Sequence, residues 1–95
     1  MAITKQVTFV AKDENIEELK ALLIGMIDTS KAEEGVIFYH IHQMKDKPTT
    51  FVVLESWESE EALEGHRHTA HYAHYKANFE QFTADKFSDE LLDLV

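Results

Sequence analysis

Two short runs, VIFYHIHQM at 36–44 and FVVLESW at 51–57, flank a turn, KDKPT, that holds the only proline of the chain. Successive side chains of a strand point to opposite faces, so period-two runs on either side of a turn signal read as a β-hairpin. The first run puts Ile37, Tyr39 and Ile41 on one face and Phe38, His40 and His42 on the other. The second puts Phe51, Val53, Glu55 and Trp57 on one face and Val52, Leu54 and Ser56 on the other. Ile3–Ala11 alternates as well, Ile3, Val7 and Phe9 against Thr4, Gln6 and Thr8.

Helical spacing fills the gaps between these strands. Asp13 or Asn15 can open a helix, and Asn15 with Glu18 has the spacing of a capping box. Ile16, Leu19, Leu23, Met26 and Ile27 then form an apolar stripe that fades by Lys31, and Gly35 marks a break. Ser59 caps a second helical region, where Glu60 and Glu61 suit the positive end of the backbone dipole. That region divides into a piece from Glu60 to Arg67 and a piece from Ala70 to Phe82 capped by Thr69, with Tyr72, Tyr75, Phe79 and Phe82 as its stripe. Glu90–Val95 reads as a short last strand. The order β-α-β-β-α-β predicts an α+β fold: an antiparallel four-stranded sheet with its helices on one face. The other face carries apolar residues and needs a cover, which a homodimer stacked sheet on sheet supplies.

Size and charge narrow the functions. Ninety-five residues make one domain, residues 1–95. A chain of this size buries only about 60–65% of its unfolded surface, which favours burying more in an oligomer. A net charge of −9 repels phosphate backbones and anionic lipid, so nucleic-acid and membrane-surface binding are not expected. The absence of cysteine excludes disulfides, thiolate metal sites and thiol nucleophiles. The first residues, MAITKQVTFVAKDEN, lack the long apolar run of a signal peptide, and no stretch is long enough to span a bilayer. A cytoplasmic location is the expectation.

Residues 65–79, GHRHTAHYAHYKANF, carry four of the six histidines. On a helical wheel of about 100° per residue, His71 falls about 20° outside the aromatic stripe and His74 about 80° outside it. His71 is thus expected at the boundary between helix and sheet, and His74 in water. His68 sits at the junction of the two pieces. His66 follows Leu63 by three residues and shares its inward face. His40 and His42 share a strand face as some zinc pairs do, but a third ligand would be needed, and no metal site is expected. Glu55 lies one alternation before Trp57 on an apolar face, where a carboxylate is costly unless paired. A histidine of the following helix is its natural partner; an exposed edge-strand position is the alternative.

The run LESWESEEALEGHRHTAHYAHY resembles the signature of the antibiotic biosynthesis monooxygenase domain family, through Glu55, Trp57, Ala62, Leu63, His66, Thr69, His71 and Tyr72 in order. Glu34, Gly35 and Tyr39 match that family's strand entry. Ala70 stands where many relatives have proline. The first strand, ITKQVTFVA, lacks the asparagine typical of the haem-degrading branch, so that branch is not expected. The resemblance implies a dimeric α+β barrel of ferredoxin-like subunits, each with a pocket between sheet and helices. It also implies oxidation of hydroquinones or polyphenols by molecular oxygen without flavin, haem or metal. In that scheme His66 or His71 is the base, Glu55 fixes a tautomer, and Trp57, Tyr72, Phe38 and His40 contact the substrate. An isomerase acting on a small hydroxylated carbonyl compound, or a module that binds small molecules without turnover, fits the same pocket. Fold likeness does not choose among these chemistries.

Overall fold

A computed structural model of the chain describes residues 1–84 and 88–95. β1 spans Ile3–Val10 and leads through a 3-10 turn at Asp13–Asn15 into α1, Ile16–Ile24. A short α2, Ile27–Lys31, precedes the hairpin of β2, Val36–Gln43, and β3, Thr50–Trp57. α3, Glu60–Arg67, and α4, Ala70–Phe82, follow, and β4, Ser88–Leu92, completes the chain order. The sheet runs β2-β3-β1-β4, and all three pairings are antiparallel. This is the ferredoxin-like α+β arrangement that the pattern of periods predicts, with each helical region divided in two. Among the described residues no helix is long and apolar enough to cross a membrane.

One face of the sheet carries the core. Val7 and Phe9 of β1, Tyr39 of β2 and Phe51, Val53 and Trp57 of β3 are buried there with Leu19, Leu23, Leu63 and Phe79 of the helices. The aromatic stripe of α4 lies on this face. The Phe9 ring meets Tyr75 and Phe79 edge-on, with centroids 6.0 and 5.7 Å apart, a preferred arrangement of ring quadrupoles. On the opposite face, Phe38, Val52 and Leu54 stay partly exposed and His40 and His42 are exposed.

Local details depart from the sequence pattern for physical reasons. A bulge between Val36 and Phe38 sets two residues of β2 against one of β3. It turns Val36 toward the core and leaves Ile37 half exposed, whereas the alternation places Ile37 inside. Asn15 makes no side-chain cap, because a 3-10 turn already winds into α1 from Asp13, so the Asn15–Glu18 box does not form. The first apolar stripe divides at Gly25–Met26. β4 begins two residues earlier than the Glu90 expected, its register fixed by pairing Ser88–Leu92 with Thr8–Thr4 of β1.

Candidate active site

The bend between α3 and α4 decides which histidines meet. The Thr69 side chain accepts a hydrogen bond from Tyr72 N at 3.2 Å, capping α4. The same hydroxyl donates to the carbonyl of His66 at 2.8 Å, tying the end of α3 to the start of α4. Helix α4 therefore starts at Ala70 without the proline of many relatives. The bend aims His66 from α3 and His71 from α4 at a common point, with ring centroids 5.8 Å apart. His68 and His74 face solvent.

That common point is one oxygen of Glu33. His66 Nδ1 and His71 Nε2 each lie 2.7 Å from Glu33 Oε2. A carboxylate oxygen only accepts hydrogen bonds, so both nitrogens donate, and in a neutral ring the proton sits on that nitrogen. For His66 this leaves Nε2 as the lone-pair nitrogen, and among the described residues no hydrogen bond engages it. The His66 side chain is 2% exposed and that of His71 21%. His66 is wedged between the Trp57 indole, centroids 4.5 Å apart and planes inclined 35°, and the Tyr72 ring, 5.1 Å away and edge-on.

Glu33 owes its place to the turn that carries it. Glu33 N donates to Ser30 O, and Gly35 at φ +87° reverses the chain into β2. The carbonyl of Gly35 accepts from Glu58 N at 2.7 Å, and the turn lies so close to α3 that a Cβ on Gly35 would sit 2.5 Å from Ala62 Cβ. Glycine supplies both the positive φ and the close approach.

His66 lines a cavity of about 90 Å³ between the sheet and the helices, together with Tyr39, Glu55, Leu63, Tyr72 and Lys5. Lys5, Leu63, Arg67 and Asp89 also line a broader open groove beside it. An engineered cavity that admits benzene measures roughly 150 Å³. At about 90 Å³ the space is smaller than that, so even a single ring enters only as wall side chains give way. Lys5 is 9% exposed and pairs with Asp89 of β4, Nζ to Oδ2 at 3.0 Å, so the cavity wall carries a cation. Burial pushes the hydroxyls of Tyr39 and Tyr72 above the ordinary phenol range, so both remain hydrogen-bond donors at neutral pH.

The expected site residues are sorted by this geometry. His66, Glu55 and Tyr72 reach the cavity, and His71 reaches Glu33. Glu55 does not pair with a histidine: its Oε1 accepts the Trp57 indole N–H at 2.9 Å, and Glu33 takes the imidazoles instead. Nor is Glu55 on an edge strand, for β3 is central and the residue is 7% exposed. Trp57, fully buried, stands behind His66 and does not line the cavity. Phe38 and His40 lie across the sheet from it, stacked on each other at 5.3 Å, because their strand phase is opposite to that of Tyr39. Lys5 and Glu33 are site residues that the sequence pattern does not single out. For Lys5 a signal exists, since it shares the alternation phase of Ile3, Val7 and Phe9.

Comparison with known proteins agrees with this architecture. The family described as "Antibiotic biosynthesis monooxygenase" matches residues 2–78. The protein named "Putative monooxygenase YcnE" of Bacillus subtilis is 33% identical over 75 residues, 79% of this chain and 79% of that protein. "Putative monooxygenase Rv0793" of Mycobacterium tuberculosis is 33% identical over 69 residues, 73% of this chain and 67% of that protein. The solved structure of Rv0793 superposes with a TM-score of 0.94 at 25% identity, covering 100% of this chain and 96% of its own. The structure of PA3566 from Pseudomonas aeruginosa gives 0.93 at 26% identity, with coverage of 99% and 94%. The chain belongs to the antibiotic biosynthesis monooxygenase family.

Proposed function

We propose that this chain is a cofactor-free monooxygenase that hydroxylates a single-ring hydroquinone or catechol with molecular oxygen. The observation that carries the reading is His66: Nδ1 is held by Glu33 while the ring lines a sheltered cavity, so Nε2 is the nitrogen available as a base. Triplet oxygen reacts slowly with closed-shell phenols. Transfer of the substrate's phenolic proton to Nε2 gives an electron-rich phenolate, which passes one electron to oxygen. The Lys5 ammonium and the Tyr39 and Tyr72 hydroxyls favour that anion in a site shielded from water. Superoxide and the substrate radical combine into a C–O bond. Loss of the ring C–H proton and cleavage of the O–O bond then expel hydroxide, which takes the proton held by His66 and leaves as water. The sum is dihydroxyarene plus O₂ to hydroxyquinone plus water, with all four electrons drawn from the substrate. His71 does not reach the cavity; it acts through Glu33 as a positioning residue.

The reading includes a homodimer. Phe38, Val52 and Leu54 form an apolar patch on the uncovered sheet face, and sheet-on-sheet stacking of two copies buries it.

Oxygen uptake by metal-stripped protein across a panel of hydroquinones and catechols tests the activity. His66→Ala should cut turnover by about 10²–10⁴-fold, the usual contribution of a general base, and His71→Ala by less. A His66→Ala/His71→Ala double variant that consumes oxygen at the parent rate would remove both assigned roles. Product formed equally well without oxygen would assign the pocket to isomerisation.

A further inference from the structure

We propose that Glu33, His66 and His71 form a binding site for a divalent transition-metal ion of the zinc and cobalt class, and that its occupancy silences His66 as a base. The donor atoms Glu33 Oε2, His66 Nδ1 and His71 Nε2 lie within 4.8 Å of one another. They come from three separate elements: the turn before β2, α3 and α4. Two imidazoles and one carboxylate are the donor set that zinc-class ions accept, leaving a further position for water.

The present contacts are hydrogen bonds of 2.7 Å, shorter than the separation of ligands around a tetrahedral ion. With metal–ligand distances of about 2.0–2.2 Å, neighbouring donors sit about 3.3 Å apart. Each contact must therefore open by about 0.6 Å. Glu33 can supply that opening, because its carboxylate stands on a turn and its second oxygen carries no hydrogen bond among the described residues; the two imidazole nitrogens, up to 4.8 Å apart, reach the same spacing by a shift of the more exposed His71. His66 is locked between Trp57 and Tyr72, so one ligand is already oriented. His71 is the most exposed of the three and marks the entry side. The net charge of −9 raises the local concentration of cations.

The inhibitory consequence follows from imidazole chemistry and rests on the monooxygenase reading; the binding does not. A neutral ring that ligates through Nδ1 carries its proton on Nε2. The nitrogen assigned to take the substrate's proton is then occupied. Metal at Nδ1 and a base at Nε2 exclude each other.

Titration of chelator-stripped protein with Co²⁺, followed by its visible ligand-field bands, tests the site independently of turnover. One equivalent should bind, and Glu33→Gln and His71→Ala should each weaken binding at least tenfold while circular dichroism shows both variants folded. The solvent-facing pair His68→Ala/His74→Ala should bind as the parent does. Absence of a saturable one-equivalent transition, indifference to both ligand substitutions, or loss of binding in the His68/His74 variant would overturn the site. Saturating Co²⁺ should also slow oxygen uptake at least tenfold; uptake unchanged at full occupancy would overturn the inhibitory role. Should metal-free protein consume no oxygen at all, the monooxygenase reading falls while the Co²⁺ titration still decides the site.

Discussion

Replacing Gly35 with alanine should destabilise the chain, whereas the same replacement at Gly65 should stabilise it. Gly35 sits at φ +87°, where a residue with a Cβ costs about 1–3 kcal/mol. The added methyl would also lie 2.5 Å from Ala62 Cβ, inside any real contact distance, and overpacking of this kind costs about 1–3 kcal/mol. Together the loss is about 2–6 kcal/mol. A domain of this size has roughly 5–14 kcal/mol in total, so the loss removes a large share of it. At Gly65, inside α3, an added methyl would meet nothing within 4 Å, and alanine there should gain about 0.5–1 kcal/mol from helix propensity alone. Urea unfolding at one fixed protein concentration reads both changes. Equal signs for the two variants, or a Gly35→Ala midpoint matching the parent, would show that neither the positive φ nor the close approach constrains the turn. A Gly35→Ala chain that folds should also lose oxygen uptake, because the turn that carries Glu33 has to move.

Burial pushes all three tyrosines, Tyr39, Tyr72 and Tyr75, above the ordinary phenol range, so the folded chain keeps protons that the unfolded chain releases near pH 10. Stability should hold below that pH and fall as pH rises beyond it, with the phenolate absorbance of Tyr39 and Tyr75 at 295 nm appearing only as the chain unfolds; two or more phenolates in a fully folded chain at pH 10 would contradict the burial. Trp57→Phe removes the donor to the buried Glu55 carboxylate and should cost about 1–3 kcal/mol beyond the lost packing, measured by urea unfolding; a change below about 0.5 kcal/mol would show Glu55 satisfied elsewhere. Leu54→Asp places a charge at the centre of the uncovered face and should yield monomers in sedimentation velocity, and a variant that sediments as the parent does would move the dimer contact off this face.

Most of the fold is legible in the sequence because its signals are local. Period two in Ile3–Ala11 and the hairpin, the caps at Ser59 and Thr69, and the aromatic stripe of α4 each depend on neighbours a few residues apart. The inward aim of His66, the boundary position of His71 and the outward aim of His74 follow from the same spacing. What escapes depends on contacts between distant segments. Glu33 belongs to no periodic element, and only the seating of its turn against α3 brings it to histidines 33 and 38 residues away. Glu55 is expected to meet a histidine, but the indole two residues along its own strand is the partner it finds. Alternation misplaces Ile37 because a bulge breaks the period without a sequence mark. Phe38 and His40 fail as pocket residues because their own strand phase already sets them opposite Tyr39.

The site's chemistry stands on Glu33 holding His66 as the Nδ1–H tautomer, with Nε2 left free of hydrogen bonds among the described residues. Two-bond and three-bond ¹⁵N–¹H correlations of the imidazoles in metal-free protein at neutral pH test this directly. The His66 tautomer should be Nδ1–H, changing toward the Nε2–H form in Glu33→Gln. A His66 ring carrying its proton on Nε2, or one whose pattern is the same with and without the Glu33 carboxylate, would contradict it.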